Sequence, residues 1–205
     1  MNQSRDRDPQ TFTDFLRRTF KVLLEGIAGF LNRIGFKPNL VTGLGLAGNI
    51  LAGGLIATGH LVWGGLVALL AGPLDALDGT MARLRGEDST YGAFVDSVTD
   101  RYSEIVLYGG LLVYFIDGGT WHDALLVFSA TVGSIMVSYV RARAESLGYS
   151  AKVGILTRAE RYLVLIPGIL LGYPRVSLWI LALLTNFTAV QRFWHVRKQA
   201  LEKQI

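Results

Sequence analysis

The sequence predicts an all-α, polytopic integral membrane protein with six transmembrane helices and an N-terminal amphipathic helix. Hydrophobic residues make up 51% of its 205 positions, and the mean hydropathy is +0.37. Apolar runs long enough to cross a bilayer recur along the chain. Lysine and arginine concentrate in alternate connecting segments, which is typical of proteins with several spans. At this length, residues 1–205 are predicted to form a single membrane domain.

The N-terminal segment predicts an amphipathic helix that lies in the membrane interface. Residues 10–34 mix apolar and basic side chains, namely Phe12, Phe15, Leu16, Phe20, Leu23 and Leu24 with Arg17, Arg18 and Lys21. Such a mixture suits the boundary between headgroups and acyl chains. A helix packed on the domain is the alternative. The segment does not resemble a signal peptide, because it carries acids and lacks an apolar core followed by a cleavage site.

Six apolar segments are predicted to form a transmembrane core over residues 39–203. Their approximate bounds are residues 39–58, 62–84, 90–115, 122–146, 159–172, and 176 to beyond 192. A bilayer requires spans of about 20 residues. Pro38 precedes the first segment, whereas Pro167 is predicted to interrupt the short fifth one.

Basic residues predict the orientation. The N-terminal segment, the loop between spans two and three, the loop after span four and the C-terminal tail carry most of them. On the opposite side Arg175 is the only arginine or lysine. The positive-inside rule therefore places both termini on the cytoplasmic side of the cell membrane. The chain has no cysteine, which excludes disulfides and thiolate sites, and no nucleic-acid partner is expected.

Four aspartates lie at the predicted cytoplasmic ends of spans two and three. Asp75 and Asp78 are three residues apart and Asp96 and Asp100 are four apart, so each pair shares a helix face. Ionisable residues are costly inside a membrane and usually functional. Because carboxylates cannot neutralise one another, one or two divalent cations are expected. Oxygen ligands favour Mg2+, Mn2+ or Ca2+ over Zn2+.

Residues beside these aspartates suit a phosphate ligand. Gly79 and Gly92 would let a ligand approach the backbone, and Arg83 could bind a phosphate through two hydrogen bonds. One alternative is that the acids pair with Arg83, Arg85 and Arg101 at the membrane surface. A cation transporter is another alternative, which predicts acids spread through the membrane depth.

The spacing D-x2-D-G-x2-A-R-x8-G-x3-D-x3-D resembles the signature of the CDP-alcohol phosphotransferases. All eight of its positions are filled here, by Asp75, Asp78, Gly79, Ala82, Arg83, Gly92, Asp96 and Asp100. The resemblance covers nearly the whole chain. It implies that a CDP-lipid, with CDP-diacylglycerol expected, gives its phosphatidyl group to a hydroxyl acceptor and releases CMP, a step of phospholipid biosynthesis.

The resemblance also implies roles for individual residues. Asp75, Asp78 and Asp96 would hold two Mg2+ or Mn2+ ions, while Asp100 would touch one ion and act as general base. The residues implied to contact the CDP-lipid are Leu40, Val41, Thr42, Gly43, Gly79, Arg83 and Ser89. Without the resemblance, Thr42 and Ser89 are ordinary helix-start residues. A homodimer is implied as well.

A second stretch, S-Y-V-R-A-R-A-E from Ser138, predicts the kind of acceptor. Together with later basic residues it supplies a set of arginines predicted to converge on the cytoplasmic side: Arg141, Arg143, Arg158, Arg161 and Arg192. Guanidinium groups match a phosphate dianion, so the acceptor is expected to carry a phosphate. The alternative is that these arginines anchor the topology and contact lipid headgroups.

This stretch is similar to the phosphatidylinositol-phosphate and archaetidylinositol-phosphate synthases. Arg141, Arg161 and Arg192 align with their basic residues that bind inositol phosphate, which implies 1D-myo-inositol 3-phosphate as the acceptor. Thr157 stands where those enzymes carry Glu, and Arg141 stands where Lys is common. The alternative is a phosphatidylglycerol-phosphate synthase, which uses glycerol 3-phosphate, or another CDP-alcohol phosphotransferase.

Overall fold

The computed structural model describes residues 12–87 and 89–202, with side chains for residues 21–87 and 89–202. Within these residues the chain forms seven α-helices: α1 Phe12–Arg33, α2 Pro38–Ala57, α3 Leu61–Arg85, α4 Thr90–Gly118, α5 Trp121–Ser146, α6 Arg158–Leu170 and α7 Pro174–Glu202. The all-α prediction is confirmed. Each predicted span coincides with one of the helices from α2 to α7.

Four helices, α2, α3, α5 and α7, are long and apolar enough to cross a membrane. Helix α4 has 29 residues, but charged side chains such as Asp96, Arg101 and Glu104 interrupt its apolar sequence. Helix α6 has 13 residues, which is about 20 Å at the usual rise per residue and short of a hydrocarbon core of about 30 Å. The protein is therefore an integral membrane protein with at least these four candidate spans.

Local sequence explains where the helices near the site begin and end. Pro38 is the first residue of α2, where its missing N–H is not needed. Gly86 ends α3 with a positive φ of 65°, a conformation that glycine adopts without strain. Ser89 caps α4, because its Oγ accepts a hydrogen bond from Gly92 N at 3.0 Å.

Helix α6 runs through Pro167 to Leu170, so the interruption predicted there is wrong. A proline inside a helix removes one backbone hydrogen bond, and packed neighbouring helices tolerate that loss in membrane proteins. Helix α6 begins with a capping box in which Thr157 N donates to Glu160 Oε2 at 2.6 Å.

The main core lies between the predicted spans, where α2 packs on α3 and α4, and α5 packs on α7. Leu107, Tyr108 and Leu111 of α4 are fully buried in it. Tyr162 of α6 reaches α3, where its hydroxyl donates to the Ala68 carbonyl at 2.5 Å. The Tyr162 contact joins α6 to α3, the helix that carries Asp75 and Asp78.

The closest approach of α2 and α4 depends on two glycines. A Cβ added at Gly110 would lie 2.9 Å from Gly53 Cα, whereas one added at the adjacent Gly109 would meet nothing within 4 Å. We expect Gly110→Ala to lower the free energy of unfolding by about 1–3 kcal/mol, because the helices must move apart. Gly109→Ala is the matched control, and it should be neutral or slightly stabilising. Thermal unfolding in detergent measures both, and equal midpoints would contradict the packing argument.

A second, smaller core joins α1 to the end of α3 that carries the aspartates. Ala28 of α1 is buried with Val41, Leu77 and Met81. Side-chain hydrogen bonds add to this contact, since Asn32 Nδ2 donates to the Met81 carbonyl at 3.2 Å. Helix α1 therefore packs on the part of α3 that contains Asp78, through Leu77 and Met81.

The outer surface of α1 carries exposed apolar side chains. Val22, Leu23 and Phe30 are 81%, 59% and 61% exposed. Residues 10 and 11 of the predicted amphipathic segment, and the side chains up to Phe20, lie outside the described residues. The described part of α1 thus packs on α3 with one side and exposes apolar side chains on another.

Candidate active site

Three of the four predicted aspartates come together where α3 and α4 approach the short loop between them. Each of Asp75, Asp78 and Asp96 offers a carboxylate oxygen that lies within 4.8 Å of the other two. Asp78 is buried, with 4% of its surface exposed, while Asp75 and Asp96 are half-buried. The sequence predicted one cluster of all four carboxylates; three of them converge, and Asp100 is not part of this group.

The donor set of this cluster fits a divalent cation. Three like-charged groups at this distance repel one another unless a cation lies between them. Asp96 Oδ1 is buried and accepts no hydrogen bond from any described residue, although buried polar atoms are nearly always paired. Carboxylate oxygens are the ligands that Mg2+, Mn2+ and Ca2+ prefer.

Hydrogen bonds from α2 and from the backbone orient the Asp78 carboxylate. Thr42 Oγ1 donates to Asp78 Oδ2, and Gly79 N donates to Asp78 Oδ1 at 2.5 Å. Thr42 therefore connects the first turns of α2 to the acidic cluster. Its neighbour Val41 is buried in the smaller core, whereas Leu40 is 51% exposed.

The remaining residues predicted for the CDP-lipid lie on α2, on α3 and at the start of α4. A Cβ added at Gly43 would meet nothing within 4 Å. Arg83 is exposed, and its Nη2 donates to Thr80 Oγ1 at 3.0 Å. Gly79 is close to this guanidinium, since an added Cβ would lie 3.5 Å from Arg83 Nη1. Ser89 is exposed and serves as the α4 cap.

Asp100 lies one turn deeper on α4 than Asp96 and is connected to Asp75 through an arginine. Arg158 Nη1, at the first residue of α6, contacts Asp75 Oδ2 and lies 2.5 Å from Asp100 Oδ1. Arg101 Nη1 is 4.0 Å from Asp100 Oδ2. The alternative to a metal site was that the four aspartates pair with Arg83, Arg85 and Arg101. Arg101 is near Asp100, whereas Arg85 Nη1 pairs with Glu87 Oε2 at 3.9 Å.

A basic cavity adjoins Asp100. Its volume is about 310 Å3, and four of the five predicted arginines line it: Arg141, Arg158, Arg161 and Arg192. Asp100 lines the same cavity, so the predicted base and the predicted phosphate ligands face one space. Arg143 is exposed on α5 and is not among the lining residues. A cavity of about 380 Å3 elsewhere, lined by Tyr114 and Arg175, contains none of the predicted site residues.

The arginines of the cavity differ in how they are held. Arg161 is 2% exposed and forms a double contact with Glu104, with distances of 2.6 Å from Nε to Oε1 and 2.8 Å from Nη2 to Oε2. Arg192 is 4% exposed and donates to the carbonyl groups of Val153 at 2.9 Å and Val137 at 2.6 Å. By contrast, Arg141 pairs with Glu145 at 3.0 Å in a contact that is open to solvent.

Sequence reasoning did not single out Glu104, which also lines the cavity. A signal was present, because Glu104 follows Asp100 by four residues and must share its helix face. An acid at that depth of a predicted span is itself an indication of function.

Comparison with known proteins identifies the family. The family model for CDP-alcohol phosphatidyltransferase matches residues 36–191. A phosphatidylinositol phosphate synthase from Mycobacteroides abscessus is 35% identical over 192 residues, which cover 88% of this chain and 86% of the relative. An archaetidylinositol phosphate synthase from Methanothermobacter thermautotrophicus is 34% identical over 194 residues, covering 92% of this chain and 97% of the relative.

Solved structures agree with this assignment. The phosphatidylinositol phosphate synthase of Mycobacterium tuberculosis in complex with manganese and citrate superposes with a TM-score of 0.79 and is 30% identical, covering 84% of this chain and 88% of that one. The same enzyme with CDP-DAG bound gives a TM-score of 0.76 at 31% identity, covering 84% and 92% of the two chains. This chain therefore belongs to the CDP-alcohol phosphatidyltransferase family.

Proposed function

We propose that this protein transfers the phosphatidyl group of CDP-diacylglycerol to 1D-myo-inositol 3-phosphate and releases CMP. The observation that carries the proposal is the cavity in which Asp100 and four arginines face one space beside three clustered carboxylates. The similar proteins support the donor and acceptor, since several are phosphatidylinositol phosphate synthases and one has CDP-DAG bound.

The reaction is a direct displacement at phosphorus. An acceptor hydroxyl oxygen forms a bond to the phosphorus that bears the diacylglycerol, and the bond from this phosphorus to the oxygen of CMP breaks. Asp100 accepts the hydroxyl proton, and CMP departs with the electron pair of the broken bond. The described lining of the cavity has hydroxyl groups at Ser97, Ser138 and Thr157 and contains no histidine that could activate one of them as a covalent nucleophile.

Asp75, Asp78 and Asp96, with Asp100, would hold two Mg2+ ions or Mn2+ in their place. Bound divalent cations supply charge neutralisation for the pyrophosphate and for the leaving phosphate. The protein contributes the orientation of its ligands. Thr42 and the Gly79 N–H direct the Asp78 carboxylate, and a fixed first ligand reduces the cost of arranging the others.

The CDP-lipid is proposed to bind between the start of α2 and the end of α3. Gly43 and Gly79 offer backbone without side chains, and Arg83 is exposed for a bidentate phosphate contact. Leu40, Val41, Thr42 and Ser89 complete the proposed binding segment. Exposed apolar residues on α1, beside this region, would lie in the membrane interface where the lipid tails leave the site.

The acceptor phosphate is proposed to bind the cavity arginines Arg141, Arg158, Arg161 and Arg192. Arg143, which is exposed on α5, is proposed as an additional ligand. Arg192 donates only to carbonyl groups in the hydrogen bonds described above, and a carbonyl does not cancel its charge. Arg158 contacts both Asp75 and Asp100 and also lines the cavity. The site therefore links the base to a phosphate-bearing acceptor.

The proposed membrane arrangement has six spans, α2 to α7, with the acidic cluster and both termini on the cytoplasmic side. Its support is the distribution of basic residues, because Arg175 is alone on the other side. Helix α1 would lie along the cytoplasmic interface of the cell membrane. The active form is proposed to be a homodimer.

The acceptor assignment predicts a clear ranking of substrates. With purified protein in detergent, CDP-diacylglycerol and Mg2+, we expect CMP release with inositol 3-phosphate. Release with free inositol should be about 100-fold lower in kcat/KM, because two charge-assisted hydrogen bonds to the phosphate are lost. Arg141→Gln should weaken this preference, whereas Arg197→Gln is the matched control, since Arg197 stacks on Trp194, 4.9 Å from the ring centre.

Two results would change the proposal in different ways. Release with glycerol 3-phosphate alone would replace the acceptor and keep the phosphatidyl transfer. Absence of release with every phosphorylated acceptor would overturn the proposed reaction.

A further inference from the structure

Arg161 is the most enclosed guanidinium of the cavity, and almost all of its donors are already engaged. Its Nε and Nη2 bind the Glu104 carboxylate, its Nη1 donates to the Leu156 carbonyl at 3.1 Å, and its Nη2 lies 3.4 Å from Ser138 Oγ. An arginine has five N–H donors. About one donor, on Nη1, therefore stays available to a ligand in the cavity.

Glu104 determines where that available donor points. A two-point contact between a guanidinium and a carboxylate fixes the plane and the rotation of the guanidinium. The side chains of Arg161 and Glu104 are 3% and 13% exposed, so solvent does not compete for this pair. Without Glu104 the arginine would keep its charge and lose its orientation.

We propose that Glu104 is a positioning residue, which holds Arg161 on the wall of the cavity and thereby sets the affinity for the phosphorylated acceptor. Glu104 itself acts through Arg161 and not on the reacting atoms. This inference rests on the proposed function, because it requires the cavity to be the acceptor site. Loss of Glu104 should therefore weaken binding of the acceptor and leave binding of the CDP-lipid unchanged.

The test is steady-state CMP release with separate titrations of acceptor and CDP-diacylglycerol. For Glu104→Gln we expect the acceptor KM to rise about tenfold or more, while the CDP-lipid KM changes less than about twofold. Glu104→Asp is a less disruptive second variant, since it keeps the charge and shortens the side chain by one methylene. It should raise the acceptor KM as well, because the double contact cannot form at its present geometry.

A double-mutant cycle separates positioning from an independent role. If Glu104 acts through Arg161, adding Glu104→Gln to Arg161→Met should cause no further rise in the acceptor KM. The double variant also removes both buried charges, so it should fold even where a single variant is unstable. Additive effects on the acceptor KM would overturn the inference.

A second carboxylate–arginine pair, which does not line the cavity, controls for general destabilisation. Arg175 and Asp123 also make a double contact, with distances of 2.7 Å from Nε to Oδ1 and 3.0 Å from Nη2 to Oδ2. Asp123 lies in the first turn of α5. Asp123→Asn should lower thermal stability and leave the acceptor KM unchanged. A wild-type protein inactive with inositol phosphate would instead refute the proposed function, and an unchanged acceptor KM in both Glu104 variants would refute only the positioning role.

Discussion

Asp100→Asn should reduce kcat for CMP release by about 100- to 10,000-fold, the range that a general base contributes. Asparagine keeps the shape of the side chain and cannot accept the acceptor proton. Arg158 retains Asp75 as its ionic partner in the variant, so the thermal midpoint should stay close to that of the wild type. Initial rates at saturating substrates measure the effect, with CDP-diacylglycerol binding checked separately.

Asp117→Asn is the matched control for this experiment. Asp117 is exposed near the opposite end of the same helix, and its replacement should leave kcat unchanged. If Asp100→Asn kept its rate within about threefold of the wild type, the proton would need another acceptor. A parallel loss of CDP-lipid binding would instead indicate that Asp100 holds the site together.

The convergence of Asp75, Asp78 and Asp96 was predictable because helical periodicity and a short connection constrain where they can lie. Residues three apart share a helix face, and the few residues between α3 and α4 leave little freedom. The apolar runs similarly indicated every helix from α2 to α7. Local sequence rules were sufficient for these features.

Contacts between distant parts of the chain were less predictable. The arginines were expected to bind an external phosphate, whereas Arg158 lies against Asp75 and Arg161 against Glu104, 83 and 57 positions away. The position of an arginine in the sequence does not identify the acid that it pairs with, because several acids are possible partners and tertiary packing determines which one lies close enough.

The continuation of α6 through Pro167 also could not be predicted from local sequence. Its 13 residues contain a proline that local propensity treats as a break, yet the helix continues to Leu170. Tertiary packing against α3 and α7 outweighs the lost hydrogen bond. The helix-breaking tendency of proline therefore predicts the loss of a backbone hydrogen bond, but it does not predict the tertiary packing that compensates for this loss.

Asp96→Asn should abolish the response of the protein to divalent cations and stabilise it in their absence. Asp96 Oδ1 is buried, accepts no hydrogen bond from the residues that the structure describes, and is close to two other carboxylates. Removing its charge relieves repulsion, which we expect to raise the free energy of unfolding in EDTA by about 1 kcal/mol. The same change removes an ion ligand, and the apparent Mn2+ dissociation constant should rise by about 100-fold or more.

Thermal unfolding with and without Mn2+ tests both parts of this prediction without requiring activity. Wild-type protein in Mn2+ at 100 times the dissociation constant should gain about 2.7 kcal/mol of stability for each bound ion, and titration calorimetry should give two ions per chain. Asp96→Asn should start from a higher midpoint and gain little, whereas the control Asp117→Asn should behave as the wild type. A variant that gains as much as the wild type would exclude Asp96 as a ligand. A variant less stable than the wild type in EDTA would show instead that the Asp96 charge has a favourable partner, and that repulsion among the three carboxylates does not dominate the stability of this site.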